Sequence, residues 1–229
     1  MVKYLEIKKE LLKFAQKERV YDISRFFKTG PGQYGAGDSF LGLYVPDIRK
    51  VAQNYKDITF QDIKILLDSK IHEERFLALL ILIIQFPKKK RKVYNFYLKN
   101  IKAVNNWDLV DLSADKIVGN YLFKKDKKIL YNFTQSNNIW QRRIAIIATF
   151  YFIKNKQYKY TLKIAKLLLK DEEDLIQKAI GWMLREVGKR ELKLLEEFLE
   201  KNYENMSRVT LRYAIERFEE KKRSYYLNK

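Results

Sequence analysis

Five alanines set at nearly even intervals constrain the fold of this chain more than any other feature. Ala78, Ala114, Ala145, Ala179 and Ala214 stand 36, 31, 34 and 35 residues apart, close to the length of a two-helix unit. Leu, Ile and Phe at helical spacing surround most of them. A small side chain in mid-helix lets a neighbouring helix approach closely while the larger ones fill the core. A chain that repeats such a unit buries its apolar faces by stacking antiparallel helix pairs into a solenoid with one concave face.

The rest of the sequence agrees with an all-α chain. It holds only 3 Pro and 8 Gly, and no stretch sustains the alternation of a strand. Helices are expected over residues 4–17, 46–55, 60–68, 73–85, 90–99 and 107–121, then 127–136, 140–154, 158–170, 172–187, 191–201 and 207–222. The expectation is a single domain over residues 1–229. Most of the glycines crowd between Gly30 and Gly42. Residues 29–38 (TGPGQYGAGD) lack the GxxxxGK[ST] pattern of a phosphate loop and follow no strand. They read as a flexible connection between helices that rests on a ligand surface. The basic run 88–92 (KKKRK) follows Pro87 at a helix start and reads as a solvated face.

Charge narrows the function. Lys and Arg number 47 against 28 Asp and Glu, a net +19. So large an excess opposes folding by self-repulsion and points to a polyanionic partner. Cations recur just before the repeat alanines, at Arg75, Arg143, Lys178 and Arg212. If equivalent helices line the concave face, these cations form a stripe suited to a phosphate backbone. The absence of Cys excludes disulfides, thiolate nucleophiles and Cys-based zinc sites, and a lone histidine, His72, cannot build a metal cluster. No cofactor or metal is expected. Charges fall in every turn of the first 17 residues, unlike a secretory leader, and the longest apolar run, residues 76–84, is too short to span a bilayer. A cytoplasmic protein is therefore expected, a monomer that joins the nucleoid when its polyanionic partner is nucleic acid.

Three clusters combine an indole with ionic groups. In Asn106-Trp107-Asp108-Leu109-Val110-Asp111, Trp107 and Asp111 are four apart and share a helix face. Asp108 reads as a helix-start residue and Asp115 as a salt-bridge partner. Trp140 precedes Arg143 by three residues, and Trp182 precedes Arg185 by three. A single Trp is usually core; three beside charges suggest that at least two line a cleft.

With these residues in view, the sequence resembles the AlkD branch of the DNA alkylation repair family, which is built from HEAT-like repeats. The matching stretches are Phe40-Leu41-Gly42 with Pro46-Asp47-Ile48-Arg49, then Trp107 to Asp111, then Asn138-Ile139-Trp140 with Arg143 and Ala145. Next come Gln177-Lys178-Ala179-Ile180-Gly181-Trp182-Met183-Leu184-Arg185-Glu186 and Leu211-Arg212-Tyr213-Ala214-Ile215-Glu216. They run in order over nearly the whole chain. The resemblance implies a monofunctional DNA glycosylase that excises N3- and N7-alkylated purines from duplex DNA without flipping the base, so starting base excision repair. It implies Asp111 as the catalytic carboxylate, Trp107 and Trp182 flanking it, and Arg143 holding the DNA backbone. Arg185, Lys178, Arg212 and Arg75 are expected to add DNA contacts. Phe26 departs from the family, which can carry a tyrosine near there at the DNA.

The chemistry is consistent with those residue types. Alkylation at N3 or N7 makes the purine cationic and weakens its glycosidic bond. As that bond breaks, positive charge moves onto the sugar as an oxocarbenium ion. One carboxylate can stabilise that charge and position a water, and no acid is needed because the leaving base is already cationic. Indole faces add cation–π attraction of about 0.5–2 kcal/mol each. The alternatives left open are a non-catalytic repeat protein that binds branched or distorted DNA and a helical scaffold for protein partners.

Overall fold

A computed structural model describes residues 2–228. Among them the chain is all-helical, apart from one isolated parallel bridge between Ser39 and Ile71. It divides into two compact units, Met1–Ser113 and Ala114–Lys229.

The first unit holds α1 (Val2–Leu12), α2 (Lys17–Phe26), α3 (Val45–Asn54), α4 (Phe60–Leu67), α5 (His72–Lys99) and α6 (Trp107–Ser113). Its core is α5, against which α3, α4 and α6 pack. The start of α4 is fixed by a capping box: the Thr59 hydroxyl accepts the Asp62 amide while the Asp62 carboxylate accepts the Thr59 amide. Residues 72–82 of α5 are buried on every side, so this helix shows no amphipathic stripe. The expected break between residues 85 and 90 is real but softer than a loop. Pro87 sits inside α5, and two helical arms meet at Lys89 (φ −132°, ψ 36°).

The second unit opens with a π-helical stretch, Ala114–Gly119, followed by α7 (Asn120–Leu122), α8 (Lys128–Thr134), α9 (Ile139–Lys154) and α10 (Lys159–Leu168). Then come α11 (Asp174–Gly188), α12 (Leu192–Asn202), α13 (Arg208–Ala214) and α14 (Glu220–Asn228). Helices α9 and α11 form its core: α9 meets the π stretch, α8, α10 and α11, and α11 meets α10, α12 and α13. Asn138 caps α9 by accepting the Trp140 and Gln141 amides.

All five repeat alanines are buried, as close helix approach requires. Gly181 carries the same logic further. A Cβ there would run into Tyr213 Cβ and lie 2.6 Å from the Thr210 carbonyl oxygen on α13. Backbone cannot yield as a side-chain tip does, so Gly181→Ala is expected to destabilise the second unit by about 1–3 kcal/mol. A denaturation midpoint equal to that of the parent would show that α13 shifts freely.

Candidate functional site

The site of greatest interest in the first unit is built on α6. Asn106, buried just before it, accepts the Trp107 amide through Oδ1 at 2.8 Å, and Asp108 Oδ1 accepts the Leu109 amide at 2.8 Å. These oxygens serve donors of a first turn that has no carbonyls ahead of it, and the Asp108 charge suits the positive end of the helix. Leu109, Val110 and Ser113 turn into the core, where the Ser113 hydroxyl bonds the Leu109 carbonyl (2.6 Å) and the Tyr97 hydroxyl (3.1 Å). Burial pushes the Tyr97 phenol far above its ordinary pKa, so it stays neutral. That leaves Trp107, Asp108 and Asp111 half-buried. Trp107 and Asp111, one turn apart, share that side of the helix, as their spacing predicts.

An aromatic layer holds the indole of Trp107. Phe27 stacks on it (centroids 5.4 Å apart, planes 13° apart) and Phe26 meets it edge-on at 5.6 Å. Phe27 in turn lies against Phe40 at 5.2 Å and against the His72 ring at 4.8 Å. Beside this layer is a cleft of about 400 Å³ whose walls include Arg19, Phe26, Phe27, Phe40, Tyr44 and Asp108. Phe26 is 63% exposed, so the residue that departs from the resemblance still presents a ring to solvent.

Beneath the cleft, the segment after the glycine-rich residues is tied to the start of α5. The Glu73 carboxylate accepts the amides of Leu41 (3.0 Å), Gly42 (2.9 Å) and Leu43 (3.3 Å). Gly42 has φ +81°, and a Cβ there would strike the Gln16 carbonyl oxygen. Asp38 bonds Arg75 at 2.6 Å and His72 at 3.2 Å. The expected free connection over residues 29–38 is therefore pinned at its end.

The second unit places Trp182 and the remaining cations. Trp182 is half-buried beside Phe150 (5.8 Å), whereas Trp140 is buried in the core. Two of the three tryptophans thus keep partial exposure. Arg212 is exposed. Lys178 is partly exposed and pairs with Asp174 at 2.7 Å, and Arg185 pairs with Glu216. Arg143 is only 5% exposed and donates to the Leu175 carbonyl. Asp115 is the salt-bridge partner its sequence context suggested, 2.5 Å from Lys154.

The model of the family described as DNA alkylation repair enzyme matches residues 7–218. This chain belongs to that family. The repair-family member is similar in fold to a predicted DNA alkylation repair enzyme from Enterococcus faecalis (TM-score 0.75, 19% identity, 90% of this chain and 97% of that one). It is also similar to AlkD2 from Streptococcus mutans (TM-score 0.58, 17% identity, 89% and 99%). A third similar structure is smu.31 from Streptococcus mutans UA159 (TM-score 0.56, 17% identity, 74% and 89%). None of the curated proteins matches the sequence. At these identities the structures establish the repeat-helical fold alone.

One expected DNA contact of this repair-family chain needs correction. Arg75 is 4% exposed; it donates to Asp38 and, at 2.7 Å, to the Ser69 carbonyl. Its charge is met by Asp38 inside the first unit, turned away from the surface where a phosphate contact was expected. The position before the repeat alanine is therefore not one environment, since Arg212 is exposed and Arg75 and Arg143 are buried. Sequence reasoning also passed over Phe27 and the partners of His72. The distances along the chain, 34 residues from Asp38 to His72 and 36 from His72 to Asp108, left no local signal to find them.

Proposed function

We propose that the protein is a monofunctional DNA glycosylase that hydrolyses the N-glycosidic bond of cationic N3- and N7-alkylated purines in duplex DNA. The observation that carries this reading is a carboxylate, Asp111, one turn from a half-exposed indole, Trp107, in a strongly basic member of the alkylation repair family. A carboxylate in a basic protein attracts the cationic sugar as it forms while the surrounding charge holds phosphates. Asp111 stabilises the oxocarbenium ion and orients the water that attacks it. Trp107 offers an aromatic face to the same charge, and its stacking on Phe27 limits the freedom of the ring. In the second unit, Lys178, Arg185 and Arg212 serve phosphates, and Trp182 presents a half-buried indole to DNA. Arg143, 5% exposed and donating to the Leu175 carbonyl, is not assigned a phosphate. The lesion stays stacked in the duplex, so bulky adducts are tolerated. The reaction is an early step of base excision repair.

The test is base release from a duplex carrying a single N7-methylguanine. Release at a rate well above spontaneous depurination supports the assignment. Tight binding with no release assigns the protein to recognition of branched or distorted DNA instead.

A further inference from the structure

The least expected group in the first unit is a buried charged cluster around the chain's only histidine. His72, the first residue of α5, is 3% exposed. Its Nε2 lies 2.7 Å from Asp108 Oδ2, in the first turn of α6, and its Nδ1 lies 3.2 Å from Asp38 Oδ2, at the end of the glycine-rich segment. Arg75, on the same helix, reaches the same Asp38 oxygen at 2.6 Å and stands 3.4 Å from Nδ1. The imidazole is flanked by Phe27 and Phe40, each with its centroid 4.8 Å away. Glu73 also faces this region, but its carboxylate is engaged by the amides of Leu41, Gly42 and Leu43; Arg19 lines the neighbouring cleft and donates to the Gly42 carbonyl.

Charge balance decides the protonation state. The Asp38 and half-buried Asp108 carboxylates and one guanidinium leave a net charge of about −1 around a buried ring unless the imidazole is protonated, and a charge withdrawn from water and left unpaired is costly. A protonated ring donates from both nitrogens, one to each carboxylate. Burial lowers the imidazole pKa and the Arg75 charge lowers it too, yet the hydrogen bonds to Asp108 and Asp38 prevail and hold it at about 9, above the ordinary 6.5. A folded-state value above the unfolded one means that the contribution to stability is complete below about 6.5 and is lost as pH rises through about 9.

The same ring touches the site twice. Through Asp108, three residues before Asp111, it holds the turn of α6 that carries Trp107. Through Phe27 it belongs to the aromatic layer on which the Trp107 indole stacks. We propose that His72 is a positioning residue: as an imidazolium bridging Asp38 and Asp108, it fixes the first turn of α6 and so the orientation of Trp107 and Asp111. It touches no substrate. The consequence for catalysis rests on the glycosylase reading; the consequence for α6 does not.

Because the chain has one histidine, its imidazole C–H resonances titrate without ambiguity. The wild-type protein is titrated by NMR from pH 6 to 10, following His72 and the indole N–H of Trp107, the latter assigned with Trp107→Phe. The expected result is a His72 midpoint near 9 with the Trp107 resonance moving at the same midpoint. In His72→Gln and in Asp108→Asn, two independent ways to break the bridge, that movement of Trp107 disappears. Base release under single-turnover conditions falls about 10–100-fold in either variant, as for a small misplacement of catalytic groups. DNA affinity stays within about threefold, and wild-type release declines above the same midpoint. A His72 midpoint near 6.5, or a Trp107 resonance indifferent to the His72 titration, overturns the proposal. Absence of base release from the wild type at every pH would remove the glycosylase reading alone, and the NMR titration would still decide the bridge.

Discussion

Asp111→Asn is expected to lower the single-turnover rate of N7-methylguanine release about 10²–10³-fold, the usual consequence of removing one preorganised electrostatic group from a transition state. The amide matches the carboxylate in size, so α6 and its packing on α5 are preserved. What disappears is the negative charge that meets the oxocarbenium ion and the basic oxygen that orients water. Affinity for the intact duplex is expected to change little, because phosphate contacts from the basic surface dominate it. The rate measurement separates these contributions, since an interaction made only in the transition state appears in the chemical step and not in ground-state binding. An Asp111→Asn protein that releases base at the wild-type rate would remove this carboxylate from the mechanism. A loss of affinity parallel to the loss of rate would instead place Asp111 in the binding surface.

The parts of this structure that were legible in the sequence are those governed by local spacing. The repeat alanines are buried, the helices around Ala78, Ala145 and Ala179 form where their periodicity places them, and Trp107 and Asp111 share one side of α6. Helix α2 (Lys17–Phe26) was not legible, and the expected helix over residues 4–17 instead ends at Leu12. Its sequence, KERVYDISRF, spaces Val20, Ile23 and Phe26 as one helix face, but the helix is short and buries no residue. The expected helix over residues 107–121 passes through a π-helical stretch of i→i+5 bonds, too short to leave a periodicity of its own. The helix expected over 207–222 divides into α13 and α14 around residues 215–219, with no Pro or Gly there to mark the break. For the site, spacing found the residues of one helix face but not what holds them. The partners of His72 and Phe27 come from separate parts of the first unit. Arg75 was misread for the same reason: on the sequence it is one more cation in a periodic series, and only the fold brings Asp38 to it.

The largest expected effect on stability comes from two adjacent carboxylates that look alike in the sequence. Glu73 and Glu74 open α5 side by side, and both are buried. Glu73 accepts three consecutive backbone amides, Leu41 to Leu43, in a segment turned by Gly42 at a positive φ. Glu74 accepts only the Tyr4 hydroxyl, at 3.3 Å, and its Oε1 is buried with no hydrogen-bond partner among the described residues. Removing an acceptor that serves several buried donors leaves each of them unsatisfied at about 1–3 kcal/mol. Glu73→Ala is therefore expected to cost about 3–5 kcal/mol, a large part of the roughly 5–15 kcal/mol that holds a typical domain folded. Glu73→Gln should recover only part of this, because one face of the amide presents N–H groups to amide donors. Glu74→Gln should change stability by less than about 1 kcal/mol, or raise it, because it relieves a poorly compensated buried charge. Denaturant unfolding of the three variants, compared by midpoint at equal slope, tests the argument. Equal losses for Glu73→Gln and Glu74→Gln would mean that burial alone, and not the amides of residues 41–43, sets the worth of these carboxylates.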